Sequence, residues 1–270
     1  MPSQFDTRPF GNTGISVSPL GLSASYFPGK KTILTAADEG INFFFAYGFD
    51  IQMTRTLREL MRSRREKFVL ATGAYNFIWK AQHVRKAFER RLRQYRTDYI
   101  DIFLFLGVMK PAEFTQEVQD DLLRLKEEGK VRAIGLSCHN RSFINELVSR
   151  GELNAFMLRY NAAHRGAERE IFPSLAAHNP GVISYTATRW RQLLARPKSL
   201  PPATRLPTAG ECYRFVLSNP HVHVALTAPS NERQLRENIA AVRSGPLDEE
   251  QMVFMRSFGD AVHAQKKWFM

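Results

Sequence analysis

Eight short apolar runs alternating with helix-like segments predict a closed (β/α)8 barrel, a TIM barrel, for this 270-residue chain. Two further observations agree with that class. A glycine-bearing hairpin opens the chain, and an amphipathic helix follows the last run, so the barrel should carry a plug at one end and an extra helix outside. No Gly-x-Gly-x-x-Gly follows an early strand, which speaks against an open doubly wound sheet.

Residues 8–18, Arg-Pro-Phe-Gly-Asn-Thr-Gly-Ile-Ser-Val-Ser, read as two short strands around a glycine turn. The barrel strands are expected at residues 19–23, 42–46, 68–72, 99–106, 133–137, 155–160, 182–187 and 222–227. Helical periodicity is clearest over residues 82–95, where Val84, Phe88, Leu92 and Tyr95 mark one face and arginines the other. Residues 114–128 turn Val118, Leu122 and Leu125 inward, with Gly129 as a stop. The proline-rich stretch 196–207 is the one long loop and belongs at the barrel mouth, and the final helix is expected over 248–263. One barrel domain spanning 1–270 is the expected organisation.

The formal net charge is +12, with basic clusters at 62–67, 80–96 and 189–198. Such stripes can be a footprint for nucleic acid or an anionic membrane. No nucleic-acid motif accompanies them, and helix-surface spacing assigns them to solvated outer faces, so no nucleic-acid partner is expected. Two cysteines, Cys138 and Cys212, suggest no disulfide framework and fit a reducing compartment. With neither a signal-peptide h-region nor a run of membrane-spanning length, a cytoplasmic protein without a membrane partner is expected.

Several phrases resemble the aldo-keto reductase family. They are the opening residues 8–22, Glu39-Gly-Ile-Asn-Phe-Phe44, Thr97-Asp-Tyr-Ile-Asp101, Gly129-Lys-Val-Arg-Ala-Ile-Gly-Leu-Ser137, Arg159-Tyr-Asn161 and Gly181-Val-Ile-Ser-Tyr185. Near the end, Ala228-Pro-Ser-Asn-Glu-Arg-Gln-Leu-Arg-Glu-Asn238 is similar to the family's nucleotide-binding loop and helix. The resemblance implies NADP(H) across the top of the barrel and reduction of a carbonyl, with a tyrosine hydroxyl as proton donor. It also implies an aspartate, a lysine and a histidine around that hydroxyl. Those places hold Phe45, Gly73 and Leu106. Tyr47 is the candidate proton donor, although ungapped spacing would put Asp50 or a neighbour at the tyrosine place. Removing both members of an ion pair strands no buried charge, so Phe45 and Gly73 read as a joint replacement.

For the cofactor, the resemblance implies Ser137 at the carboxamide, with Cys138 and Met157 where an asparagine and a glutamine are expected. Tyr185 would stack on the nicotinamide, while Ser230, Asn231, Arg233, Gln234 and Asn238 would hold the adenosine end. Two function classes follow: an NADP-dependent carbonyl/alcohol oxidoreductase with a degenerate site, or a non-redox descendant using the same mouth. A small-molecule ligand there is expected in either case, and Arg159, Arg189 and Arg191 would suit an anionic one. Among other strand-end residues, His139 and His164 could form a substitute acid–base pair with a tyrosine, or simply cap local backbone. His221 and His223 lack a third ligand and belong to the stability face of the barrel.

Overall fold

The computed structural model describes residues 5–77 and 80–265. Its centre is a barrel of eight parallel strands. These are β3 (Leu20–Ser23), β4 (Phe43–Phe45), β5 (Val69–Phe77), β7 (Ile100–Val108), β8 (Val131–Cys138), β9 (Ala155–Arg159), β10 (Gly181–Tyr185) and β11 (Val224–Thr227). Each pairs in parallel with the next, and β11 pairs with β3 to close the ring. The hairpin β1 (Arg8–Pro9) and β2 (Ser16–Val17) precedes it, and β6 (Lys80–Ala81) folds back antiparallel on the end of β5. The expected strand 68–72 is thus five residues longer at its carboxyl end.

Helices α1 (Lys30–Asp38), α2 (Ile51–Met61), α3 (Val84–Tyr95), α4 (Gln116–Glu127) and α5 (Arg141–Arg150) follow successive strands. After β9 come only two short pieces, α6 (Ala167–Glu170) and α7 (Phe172–Leu175); α8 (Ala209–Leu217) and α9 (Glu232–Arg243) complete the ring. The outer helix α10 (Glu249–Ala264) begins at Asp248, whose carboxylate accepts from Gln251 N at 2.8 Å. That cap satisfies a donor the first turn leaves open, and it fixes where the helix starts.

Strand alternation builds two cores. Phe43 and Phe45 point into the barrel with Ile102, Leu104, Met157 and Ile183, and Phe10, Ile15 and Val17 of the hairpin plug its floor. Phe44, Phe103, Phe105 and Phe156 point outward under the helices. Fully burying side chains of this size contributes roughly 2–3 kcal/mol each, which is why a strand as short as β4 holds its place.

Asp101, buried at the start of β7, ties the lower end together. Its carboxylate accepts from Arg65 at 2.7 Å, Leu70 N at 2.9 Å and Arg132 at 3.0 Å, while Arg132 also donates to Gly14 O of the hairpin at 3.1 Å. Asp101→Ala strands the Arg65 charge and the Leu70 N–H, so urea denaturation should show a loss of about 3 kcal/mol. An unchanged midpoint would mean that the two arginines find other partners. His223 serves the same end of the barrel, accepting from Val182 N at 3.0 Å and lying edge-on to Phe10.

Candidate active site at the barrel mouth

The loop from β4 to α2 carries Tyr47, Gly48, Phe49 and Asp50. Alternation continued from Phe43 and Phe45 turns Tyr47 toward the barrel axis. There its ring meets Phe45 edge-on at 5.3 Å and stacks on Phe49 at 5.2 Å. The chain then turns through Gly48 at φ +81°, packed directly on the buried guanidinium of Arg91 from α3. A Cβ there would lie 2.3 Å from Arg91 Cζ, so the left-handed φ and the guanidinium together favour glycine. Gln94 completes the brace, donating to Gly48 O at 2.7 Å and accepting from Arg91 at 2.8 Å. Asp50 caps α2 by accepting from Met53 N and does not line the mouth. Burial raises its carboxyl pKa against that bond.

Tyr47 and Ser25 share a hydrogen bond of 2.6 Å, and Ser25 lies 3.0 Å from Ser23 Oγ. No lysine or histidine bonds the phenol among the described residues. Phe45 and Leu106 instead form part of a dry floor with Met157 and Leu226. Gly73 is closed to any side chain, because a Cβ there would lie 2.0 Å from the Leu104 carbonyl oxygen on β7.

The opposite half of the mouth is polar. Ser137 faces inward from β8, while Cys138 points outward, its sulfur 3.3 Å from Asn140 N, and burial raises its thiol pKa. That placement removes Cys138 from any nucleophilic role at the mouth. The Tyr185 hydroxyl lies 3.3 Å from His139 Nδ1, with the rings perpendicular. Burial holds the Tyr185 phenol well above its ordinary pKa, and burial, then Arg159, lowers that of His139. Both are therefore neutral near pH 7. Arg159 is the register partner of Tyr185 on β9. Arg189, by contrast, is fully buried and donates to Val262 O at 2.8 Å, which makes it a support for α10. His164 sits against the His263 ring of the same helix and does not line the cavity.

Beyond β11, Asn231 caps α9 by accepting from Gln234 N at 3.0 Å, and Gln234 Oε1 accepts from Ser230 N at 2.9 Å. Asn238 is buried and donates to Thr227 Oγ1 at 3.1 Å, which in turn donates to Tyr213 at 3.0 Å. Arg233 pairs with Glu237 at 3.0 Å, and Arg236 pairs with Glu39.

A single cavity of about 1090 Å³ joins these parts. It is lined at one end by Tyr47, Tyr75 and Leu106, beside them by Ser137, His139 and Tyr185, and at the far end by Ser230, Arg233, Gln234 and Asn238. Asn231 is absent from the lining and acts as the helix cap. Sequence reasoning missed Ser25 and the Arg91–Gln94 brace, and it set His139 beside a tyrosine without singling out Tyr185. The small residues ending the first strand were the one available signal for Ser25.

A family model described as the aldo/keto reductase family matches residues 29–197. Over 93% of its length the chain is 23% identical to the uncharacterized oxidoreductase YqkF of Bacillus subtilis, covering 95% of it. It is 25% identical to L-galactose dehydrogenase of Arabidopsis thaliana, with 89% of each chain covered. The NADH-specific methylglyoxal reductase of Escherichia coli is 23% identical over 94% of this chain and 98% of its own. Among solved structures, the holo form of aldo-keto reductase AKR11C1 from Bacillus halodurans superposes with a TM-score of 0.80 at 21% identity, covering 96% of this chain and 97% of that one. The barrel closure, the plugging hairpin and the family match agree, and the chain belongs to the aldo-keto reductase family of oxidoreductases.

Proposed function

We propose that this chain binds NADP(H) along the mouth cavity and interconverts a carbonyl and an alcohol slowly, with Tyr47 as proton donor. The observation that carries the reading is the continuity of the cavity from Tyr47 and Tyr185 to Arg233 and Gln234. Its volume lies at the upper end of what small-molecule and cofactor sites use. The residues fit the group unevenly. At the α9 end, the first-turn N–H groups lack intrahelical acceptors, and the Arg233 cation stands beside them, which suits a phosphate. At the other end Ser137 and Tyr185 remain, while Met157 offers no hydrogen bond to a carboxamide.

When bound, the nicotinamide supplies hydride chemistry to the carbonyl carbon. The protein must then deliver one proton to the oxygen. A free phenol has a pKa of about 10, and the 2.6 Å contact with Ser25 orients this hydroxyl without supplying a positive charge. Positioned acids contribute typically 10²- to 10⁴-fold; without the charged neighbours, turnover should fall by a comparable factor from that of a fully equipped site. A cytoplasmic setting is part of the proposal, supported by two buried, unpaired cysteines.

A non-redox reading draws support from the closed Gly73 and the dry floor, which suit an apolar ligand. Titration of NADPH, NADP+ and NADH by fluorescence, then oxidation assays with reactive aldehydes, separates the readings. Micromolar NADPH binding is expected, with turnover that Tyr47→Phe lowers roughly 10²-fold at unchanged cofactor affinity. Absence of dinucleotide binding sinks the proposal. Binding without turnover favours a cofactor-holding protein that is not a reductase, and a preference for NADH would correct the phosphate assignment.

A further inference from the structure

Exposed apolar side chains are not spread evenly over this barrel. Eight large ones are exposed among the described residues, and seven of them lie at the mouth: Tyr26, Phe27, Phe49, Ile51, Met109, Trp190 and, before α8, Leu206. Each sits in a segment that follows a barrel strand or opens the next helix. Phe27, Phe49 and Ile51 are 72%, 61% and 66% exposed. Exposed apolar side chains gathered at one end of a barrel point to a contact there.

Backbone geometry points the same way. Tyr26, Phe27 and Trp190 all have positive φ, at 59°, 50° and 48°. Bulky residues rarely adopt that region, so the surrounding loops hold these rings outward against a local preference. The cavity ligand accounts for only part of the rim. Tyr26, Phe27 and Trp190 line the cavity, but Phe49, Ile51 and Met109 do not.

Around the rim stand exposed cations. Lys30 and Lys31 open α1, Arg55 lies in the second turn of α2, Lys110 follows Met109, and Arg191 follows Trp190. Arg55, Lys110 and Arg191 form no ion pair among the described residues, unlike Lys30 and Lys31, which pair with Glu59 and Glu232. The protein as a whole carries +12. Aromatic and aliphatic side chains ringed by lysine and arginine are the composition of an interfacial membrane contact.

We propose that the mouth face of this barrel docks on an anionic bilayer. These apolar side chains enter the headgroup region, and Arg55, Lys110 and Arg191 lie against lipid phosphates. A second copy is the poorer occupant, because two like-charged faces would meet. Nucleic acid is poorer too, since Ile51 and Met109 have no π-face on which a base could stack. No described helix is long and apolar enough to cross a membrane, so the contact is peripheral.

The test is co-sedimentation of the full chain with phosphatidylcholine vesicles and with mixed phosphatidylcholine–phosphatidylglycerol vesicles. Binding to the mixed vesicles should be roughly tenfold tighter or more, as a few basic residues near an anionic surface provide, and should weaken in raised salt. Phe49→Ser with Ile51→Ser should lower it roughly tenfold, and Arg55→Glu with Lys110→Glu should abolish the preference for anionic lipid. Melting followed by circular dichroism checks that each variant is folded. Equal pelleting with both vesicle types, or unchanged binding by both folded variants, overturns the proposal. So does retention of the chain on RNA or as a dimer together with no vesicle binding. Dinucleotide affinity plays no part in this test.

Discussion

Restoring the family's ion pair, as Phe45→Asp with Gly73→Lys, is expected to unfold the barrel and not to repair a reductase. Phe45 is 3% exposed and packs against Tyr47 inside the barrel. Truncating such a ring costs about 3–5 kcal/mol before any charge is buried. At position 73 the first side-chain carbon would already lie 2.0 Å from the Leu104 carbonyl oxygen. That oxygen belongs to backbone and cannot swing aside, so β5 and β7 would have to part where Gly73 faces Leu104 in register. Together the two changes should remove at least about 5 kcal/mol, the whole stability of many domains. Soluble yield and urea midpoint are the measurements, with Phe45→Leu as a control expected to cost about 1 kcal/mol. A double variant with a wild-type midpoint would show that the strands retain room for a lysine and that the charges were lost without structural consequence.

Period-two and helical patterns made the barrel legible, because local alternation decides which face of a strand or helix is buried. Phe43-Phe-Phe45 shows the limit of that signal. Its apolar run announces a buried strand, but only the structure divides it into two rings inside the barrel and one outside. Strand ends were less legible: the expected strand at 68–72 extends to Phe77 because β6 folds back to pair with it. At the site, the family resemblance pointed to Phe45, Gly73 and Leu106 by position along strands and to Tyr47 in the loop after β4. It did not disclose partners far apart in sequence. Ser25 meets Tyr47 across 22 residues and His139 meets Tyr185 across 46, and no local pattern encodes such distances. Arg189 was expected at the mouth from its place after a strand, yet its positive φ and its bond to Val262 O turn it under α10. Of the asparagines expected to hold a nucleotide, Asn231 caps α9 with its side-chain oxygen, while Asn238 donates to Thr227 and still lines the cavity.

Mild acid is expected to destabilise this protein well before its carboxylates titrate. Burial, then Arg159 and Arg189, holds His164 at a pKa of about 3. Burial, then Arg8, holds His223 at about 4. Once unfolded, each returns to about 6.5. Below that value the unfolded chain takes up two protons that the folded one refuses, so stability is full above pH 6.5 and falls as pH drops toward 4. Each histidine contributes up to about 1.4 kcal/mol per pH unit in this window. Allowing for partial solvent screening, about 2 kcal/mol per histidine should be gone by about pH 4.5. His223 ties this to structure, since its Nδ1 must stay unprotonated to accept from Val182 N. In His223→Asn the side-chain oxygen can take over that acceptor role without titrating, so the slope of urea midpoint against pH should drop by roughly half. Parallel slopes for the two proteins would place the acid lability elsewhere. A slope confined to below pH 4 would assign it to paired carboxylates such as Glu168 and Glu211, where burial acts upward but hydrogen bonds from Arg256 and Tyr160, and from Thr208 and Arg205, bring the pKa below its ordinary value. The histidines and the carboxylates act in different windows because burial disfavours the charged imidazole, while ion pairing favours the charged carboxylate.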